Sequence, residues 1–294
     1  MVTPTWRHWA LLLYLSLAWG LAFMAIAMGL EVFLPVTIVW ARLMLGALVM
    51  LVVMFLMGKR LPALGIWWWR MLVLATTGNM LPFFLISWSE QSISSSEAGL
   101  LMALMPMTIL LAGHYFLENE RFTRLRLGGV ILGFAGVLLL VSGDLMLGAQ
   151  DRIAGQAAAI LATFSYASNA IYARRLPAYD VVTVAAGSLM LGAVCLAGPV
   201  FWLQDWSAPT QNLRAWVAVG LLGVFATGFA TWVYFTIISE VGPGFLSTIN
   251  YLIPGIAFIA GIGFMAESSA WPQWMALLLI LLGVWLIKPR GTQD

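Results

Sequence analysis

An arginine, a histidine, two asparagines and a set of aromatic rings stand inside otherwise apolar runs of this sequence, and their types are the ones that could do chemistry there. Arg42 lies about six residues into the apolar run 36–57, where an unpaired charge costs several kcal/mol. It could attract an anion such as a substrate carboxylate, or it could snorkel to the nearer surface or cap backbone carbonyls. Asn79 falls between Gly78 and Pro82 near the middle of another run; Pro82 cannot donate and so frees the Gly78 carbonyl, making a polar spot on a cavity or a helix-to-helix hydrogen bond. Asn250, beside Tyr251, carries the same two readings. His114 precedes Glu118 by four residues, so both share one helical face and form either a proton-linked pair or an interfacial polar pair. Trp19, Trp88, Tyr166, Trp232 and Tyr234 are candidates for a pocket wall, whereas Trp67, Trp68 and Trp69 suit an interfacial aromatic belt.

Several chemistries are excluded by what accompanies these residues. Asp144, Asp151, Asp180, Asp205 and Asp294 all lie at or beyond the ends of apolar runs, so no buried aspartyl pair is offered. No carboxylate is expected deep in any run, so no proton relay of the usual Asp/Glu kind is offered. A lone histidine without a serine nucleophile gives no hydrolase constellation, and neither metal-ligand spacing nor a phosphate-binding glycine loop is present. No catalytic residue, metal or cofactor is therefore expected. Cys195 stands alone, so a disulfide within the chain is impossible. A channel would want a repeated filter segment or a ring of charge, and neither occurs.

The elements that must position these side chains are membrane helices. Of 294 residues, 62% are hydrophobic and 9% charged, against about 25% charged in a soluble domain. Since about 20 apolar residues cross a bilayer, ten helices are expected: 9–30, 36–57, 70–87, 98–117, 127–143, 154–173, 181–202, 215–238, 245–265 and 273–288. The first is longer than the core of a signal peptide, about 7–15 residues, and is expected to be retained.

The chain also says itself twice. Pro106, Glu120 and Gly136 recur at nearly constant offset as Pro254, Glu267 and Gly283, and Leu43-Met44-Leu45-Gly46-Ala47 recurs as Leu189-Met190-Leu191-Gly192-Ala193. Residues 1–150 and 151–294 are thus expected to be two related five-helix halves. Pro82, Pro106 and Pro254 would kink helices or pack them, Gly129 and Gly133 would allow close packing or dimerisation, and Glu120 and Glu267 would anchor loops. Arg7, Lys59, Arg60, Arg70, Arg121, Arg124, Arg126, Arg174, Arg175, Lys288 and Arg290 fall on one side of such a bundle, and only Arg152 and Arg214 on the other. That bias puts both termini in the cytoplasm. Five helices per half invert the second half relative to the first, as in secondary transporters that carry solute between their repeats.

Two five-helix repeats, Trp19-Gly20 in the first helix, Arg42 in the second and the paired Pro106 and Pro254 resemble the ten-helix EamA-type carriers of the drug/metabolite transporter superfamily. The resemblance covers nearly the whole chain and is nearest to the branch exporting aromatic amino acids. It implies an all-α protein of the bacterial inner membrane, working as a monomer or weak homodimer and exporting small metabolites, with no part for nucleic acid. Ser188 stands where Arg42 would repeat and Tyr166 where Trp19 would, so the halves contribute unequally to a pocket. A proton-coupled exporter of other metabolites or drugs is the alternative.

Overall fold

The computed structural model describes residues 3–117, 123–206 and 212–287, and those residues are all-helical, with no strand among them. Apolar composition dictates helices, because a backbone within lipid must satisfy its own hydrogen bonds. Eight helices are long and apolar enough to cross a membrane: α1 (Trp6–Leu30), α2 (Pro35–Leu56), α3 (Ile66–Ser89), α4 (Ser95–Phe116), α5 (Arg124–Leu147), α7 (Val181–Leu203), α8 (Leu213–Glu240) and α9 (Pro243–Met265). The remaining two are α6 (Gln150–Arg175) and the shorter α10 (Trp271–Ile287). Helix α6 carries Gln156, Thr163, Ser165, Ser168 and Asn169 and is therefore more polar than the rest. Each of the ten expected runs is helical, but apolar length by itself marks eight as spans.

Local sequence sets the ends. Side chains of Ser94, Thr123, Asp180 and Asn212 accept from backbone amides at the starts of α4, α5, α7 and α8, and Gly148, in the left-handed region, closes α5. The interiors are less regular than the sequence suggests. Helix α1 is interrupted at Leu21, and α4 and α9 are interrupted at Ala103–Leu104 and Ser247–Thr248. Helices α3 and α8 each contain a π-helical turn, Thr76–Met80 and Val224–Phe229.

The prolines sit differently against these breaks. Pro106 lies in the first turn after the break in α4, where its missing N–H costs nothing. Pro254 lies inside a continuous helix and removes the bond to Asn250. Pro82 follows the π turn of α3 and is buried. The three are not equivalent kinks, and the break in α4 falls at Ala103–Leu104.

Packing repeats itself across the two halves. Helix α1 packs on α8 as α6 packs on α3; α2 packs on α8 as α7 packs on α3; α1 packs on α9 as α6 packs on α4. Helices α2 and α7, α4 and α9, and α5 and α10 pair with one another. The α5–α10 contact brings the two backbones together: a Cβ on Gly129 would stand 2.6 Å from the Gly283 carbonyl oxygen, and one on Gly283 the same distance from the Gly129 oxygen. The Gly129 and Gly133 spacing therefore serves packing inside the chain. Helices α2 and α7 are also tied at both ends, by Lys59 to Asp180 at one and by Gln204 to the Leu34 amide and Thr37 hydroxyl at the other.

Candidate substrate site

The π turn of α8 is the point on which the candidate residues converge. A π turn is wider than an α turn and leaves carbonyls and side chains aimed off the regular ladder, which is why such turns often mark functional positions. Three successive residues of this one hold side chains from the first two helices. Tyr14 donates to the Phe225 carbonyl at 2.9 Å, Trp19 Nε1 to the Ala226 carbonyl at 3.1 Å, and Arg42 Nε to Thr227 Oγ1 at 2.7 Å. Thr227 in turn donates to the Leu222 carbonyl at 2.9 Å, five residues back along the wide turn.

Arg42 does not snorkel. It is 6% exposed, and its guanidinium lies over the Phe83 ring of α3, 3.7 Å from the centroid, a cation–π contact that offsets part of the desolvation. Tyr166 of α6 is close enough to share its electrostatic field. Nε is the sole Arg42 nitrogen with a protein acceptor among the described residues, so both amino groups keep their donors for another group. A buried, planar donor fork with an aromatic wall is suited to a carboxylate attached to an apolar body.

The second half offers a related but distinct arrangement. On α6, Asn169 Nδ2 donates to the Leu74 carbonyl at 3.1 Å and to Thr77 Oγ1 at 3.0 Å, and Ser165 Oγ donates to the Thr77 carbonyl at 2.8 Å. These clasp the π turn of α3 as Tyr14 and Trp19 clasp that of α8. Gly78 admits the amide, since a Cβ there would lie 2.6 Å from Asn169 Nδ2. Ser188, the counterpart of Arg42, is buried with its hydroxyl unpaired among the described residues.

The expected residues divide accordingly. Trp19 and Tyr234 come together, with ring centroids 5.7 Å apart, and Arg42 and Tyr166 share the neighbouring centre. Asn79 and Asn250 are half-buried, with no side-chain hydrogen bond among the described residues; Tyr251 donates to the Val284 carbonyl of α10 at 3.3 Å. Trp88 and Trp232 are 39% and 38% exposed. His114 lies half-buried in the last turn of α4 with its ring beside Tyr115, while Glu118 and Glu120 fall outside the described residues. A separate groove of about 640 Å³ opens between α1 and α8, with Leu21, Met24, Met28, Val217 and Phe225 among its apolar lining. None of the expected residues lines that groove, although it abuts Ala226.

Carboxylates at helix ends, none of them deep in a span, are nonetheless drawn into the protein. Glu97 is buried in the first turn of α4, paired with Arg152 at 2.7 Å and with Gln156 at 2.6 Å; Arg152 and Gln156 also hold Asp144. Glu267 accepts from the amides of Ser95 and Ser96 and from the Ser95 hydroxyl, at 2.7–3.0 Å. Burial alone would raise its carboxyl, but these donors outweigh burial and hold it below the usual range. Glu90, directly after α3, is 9% exposed with neither oxygen hydrogen-bonded. All three lie at helix ends in sequence, where charge is ordinary. The Ser94-Ser95-Ser96-Glu97 spacing is a helix-start signal that could have placed Glu97 at α4; nothing local marks Glu90.

With this geometry in view, comparison with known proteins is decisive. The profile of the EamA-like transporter family matches residues 7–142 and, a second time, residues 153–288. The chain belongs to the EamA-like transporter family. It is 25% identical over 283 residues to YedA of Escherichia coli K12, an uncharacterized inner membrane transporter, covering 93% of this chain and 88% of YedA. It is 27% identical over 290 residues to a probable terminal-alkyne amino-acid exporter of Streptantibioticus cattleyicolor, covering 96% and 93%. A crystal structure 19% identical in sequence shares the fold, with a TM-score of 0.70 and 96% of each chain covered. This EamA protein is thus a membrane transporter and not an enzyme.

Proposed function

We propose that this transporter exports small amphipathic metabolites across the bacterial inner membrane, with aromatic and other hydrophobic amino acids as the substrate class. The observation that carries this reading is Arg42: buried, fixed by one hydrogen bond to Thr227, stacked on Phe83 and left with its two amino groups unpaired among the described residues. Such a group takes a carboxylate, while Phe83, Tyr166, Trp19 and Tyr234 give an apolar body rings to pack on, worth about 0.5–1.5 kcal/mol per aromatic pair. A relative named as an amino-acid exporter and another named as an inner membrane transporter favour the same class and location.

The mechanism in this reading is alternating access, with residues 1–150 and 151–294 as inverted repeats of five spans each. Support comes from the twofold family match, the paired helix contacts and the π turns at corresponding places in α3 and α8. In this scheme α6 and α10 also cross the bilayer: α6 is sheltered by neighbours that satisfy its polar residues, and α10 packs along α5. The arginine and lysine bias then puts both termini in the cytoplasm. The test is uptake of labelled phenylalanine by proteoliposomes: wild type should be saturable, and Arg42→Gln should lose most of it. Equal uptake by both proteins would remove Arg42 from the substrate site.

A further inference from the structure

Glu90 is the one acidic side chain in the structure that is sealed from solvent with no hydrogen bond to either oxygen among the described residues. The Ala27 amide of α1 lies near it without reaching hydrogen-bond geometry. Glu90 follows Phe83 by seven residues, two helical turns, so the two share a face of α3 about 10 Å apart along the axis. Because the Arg42 guanidinium lies over Phe83, Arg42 and Glu90 are set along the same face and feel one another's charge.

The other charged groups on the elements packed about α3 and its end are already committed. Glu267, beyond α9, is satisfied by Ser95 and Ser96; Arg152 of α6 is held by Glu97 of α4 and Asp144 of α5; Tyr166 of α6 faces Arg42. From α1, His8 is bound to Glu240 and the Glu31 that follows the helix to Asn212. An ionised carboxylate in such a place, without donors, gives way to the neutral acid. Burial first, and then the negative charge of Glu267, push the Glu90 carboxyl well above the usual range, while Arg42 pulls it down.

We propose that Glu90 is a proton-binding site linked to Arg42, so that a proton at Glu90 and a carboxylate anion at Arg42 bind together. An anion seated on Arg42 cancels the positive field that draws the proton off Glu90. Reciprocally, a proton on Glu90 leaves Arg42 without an internal counter-charge and strengthens its hold on the anion by the same factor. This rests on Arg42 as the anion-recognising group and adds the proton site to it.

The experiment is a pH titration of the carboxyl infrared band of the full chain in lipid nanodiscs, with Glu90→Gln subtracted to isolate Glu90. The expected midpoint lies above the ordinary glutamate value of about 4.3, Arg42→Gln shifts it further up, and Arg42→Lys leaves it near wild type. A midpoint in the ordinary range, or one unmoved by Arg42→Gln, overturns the proposal. A second readout does not depend on Arg42 variants folding. Because the folded-state value is raised, wild-type thermal stability should fall as pH rises through the midpoint, and Glu90→Gln should lack that fall; parallel profiles overturn the proposal. Added phenylalanine should raise the wild-type midpoint. If it does not while Arg42→Gln still does, the phenylalanine reading fails and the proton site stands.

Discussion

Thr227→Val isolates the contact that holds Arg42 in place. Valine keeps the methyl group at the close α2–α8 crossing, where a Cβ on Gly46 would stand 2.7 Å from Thr227 Cγ2, and it replaces the hydroxyl with a methyl group of similar size. Lost with the hydroxyl are the 2.7 Å bond from Arg42 Nε and the 2.9 Å bond to the Leu222 carbonyl. A hydrogen bond to a charged group contributes about 1.5–3 kcal/mol, and Arg42 has no other acceptor among the described residues. The variant should therefore be less stable by about that amount, most of it through Arg42. The assay is reversible unfolding in mixed micelles for Thr227→Val, Arg42→Gln and the double variant, since the cycle cancels the Leu222 term. We expect a coupling of about 1.5–3 kcal/mol and, because a loosened fork is less preorganised, weaker phenylalanine binding in Thr227→Val. A coupling below about 0.5 kcal/mol, the usual error of additivity, would show that Thr227 does not position Arg42.

Three further outcomes are expected. Gly283→Ala should destabilise by about 1–3 kcal/mol or more, since its Cβ would stand 2.6 Å from the Gly129 oxygen; Gly128→Ala, with open space around it, is the matched control in the same unfolding assay. Burial raises the Asp180 carboxyl, but Lys59 and Thr183 outweigh it and hold the carboxyl below the usual range. Its stabilising effect is then present above the unfolded value of about 3.9 and lost as pH falls through the lower folded value, so Asp180→Asn should blunt the acid limb of a stability–pH profile. A reporter fused after Asp294 should be active only if it is of the cytoplasmic type; activity of a periplasm-dependent reporter there would contradict the inverted ten-span arrangement.

How far this was legible in the sequence follows from what each feature leaves behind. Apolar runs of sufficient length located the helices closely, because solvent and lipid impose that pattern residue by residue. Helix α6 was placed correctly, but its polar side chains cost it the plain mark of a span, and they are used in clasping α3. The two π turns were not foreseen: Thr76, Thr77, Gly78 and Asn79 in one and Thr227 and Gly228 in the other interrupt the apolar pattern, but such residues do not by themselves specify a wider turn. Arg42 was singled out by its charge, whereas its partners Thr227 and Phe83 were not, being ordinary residues made special only by the crossing of α2 with α8 and α3. Trp88 and Trp232 show the same limit: a tryptophan reports a preference for an interface or a wall, not which way its helix is rotated. Glu90 and Glu97 were passed over because helix-end positions are usually wet, and here the folding of α4 against α6 and α9 covers them.

The central claim, that Arg42 receives the carboxylate of an amphipathic substrate, is tested most directly by competing labelled phenylalanine with unlabelled phenylalanine, a dicationic amine and a sugar in proteoliposomes of wild type and Arg42→Gln. Competition by phenylalanine alone, lost in Arg42→Gln, is the result the account predicts; stronger competition by the amine, or phenylalanine uptake indifferent to Arg42, would contradict it.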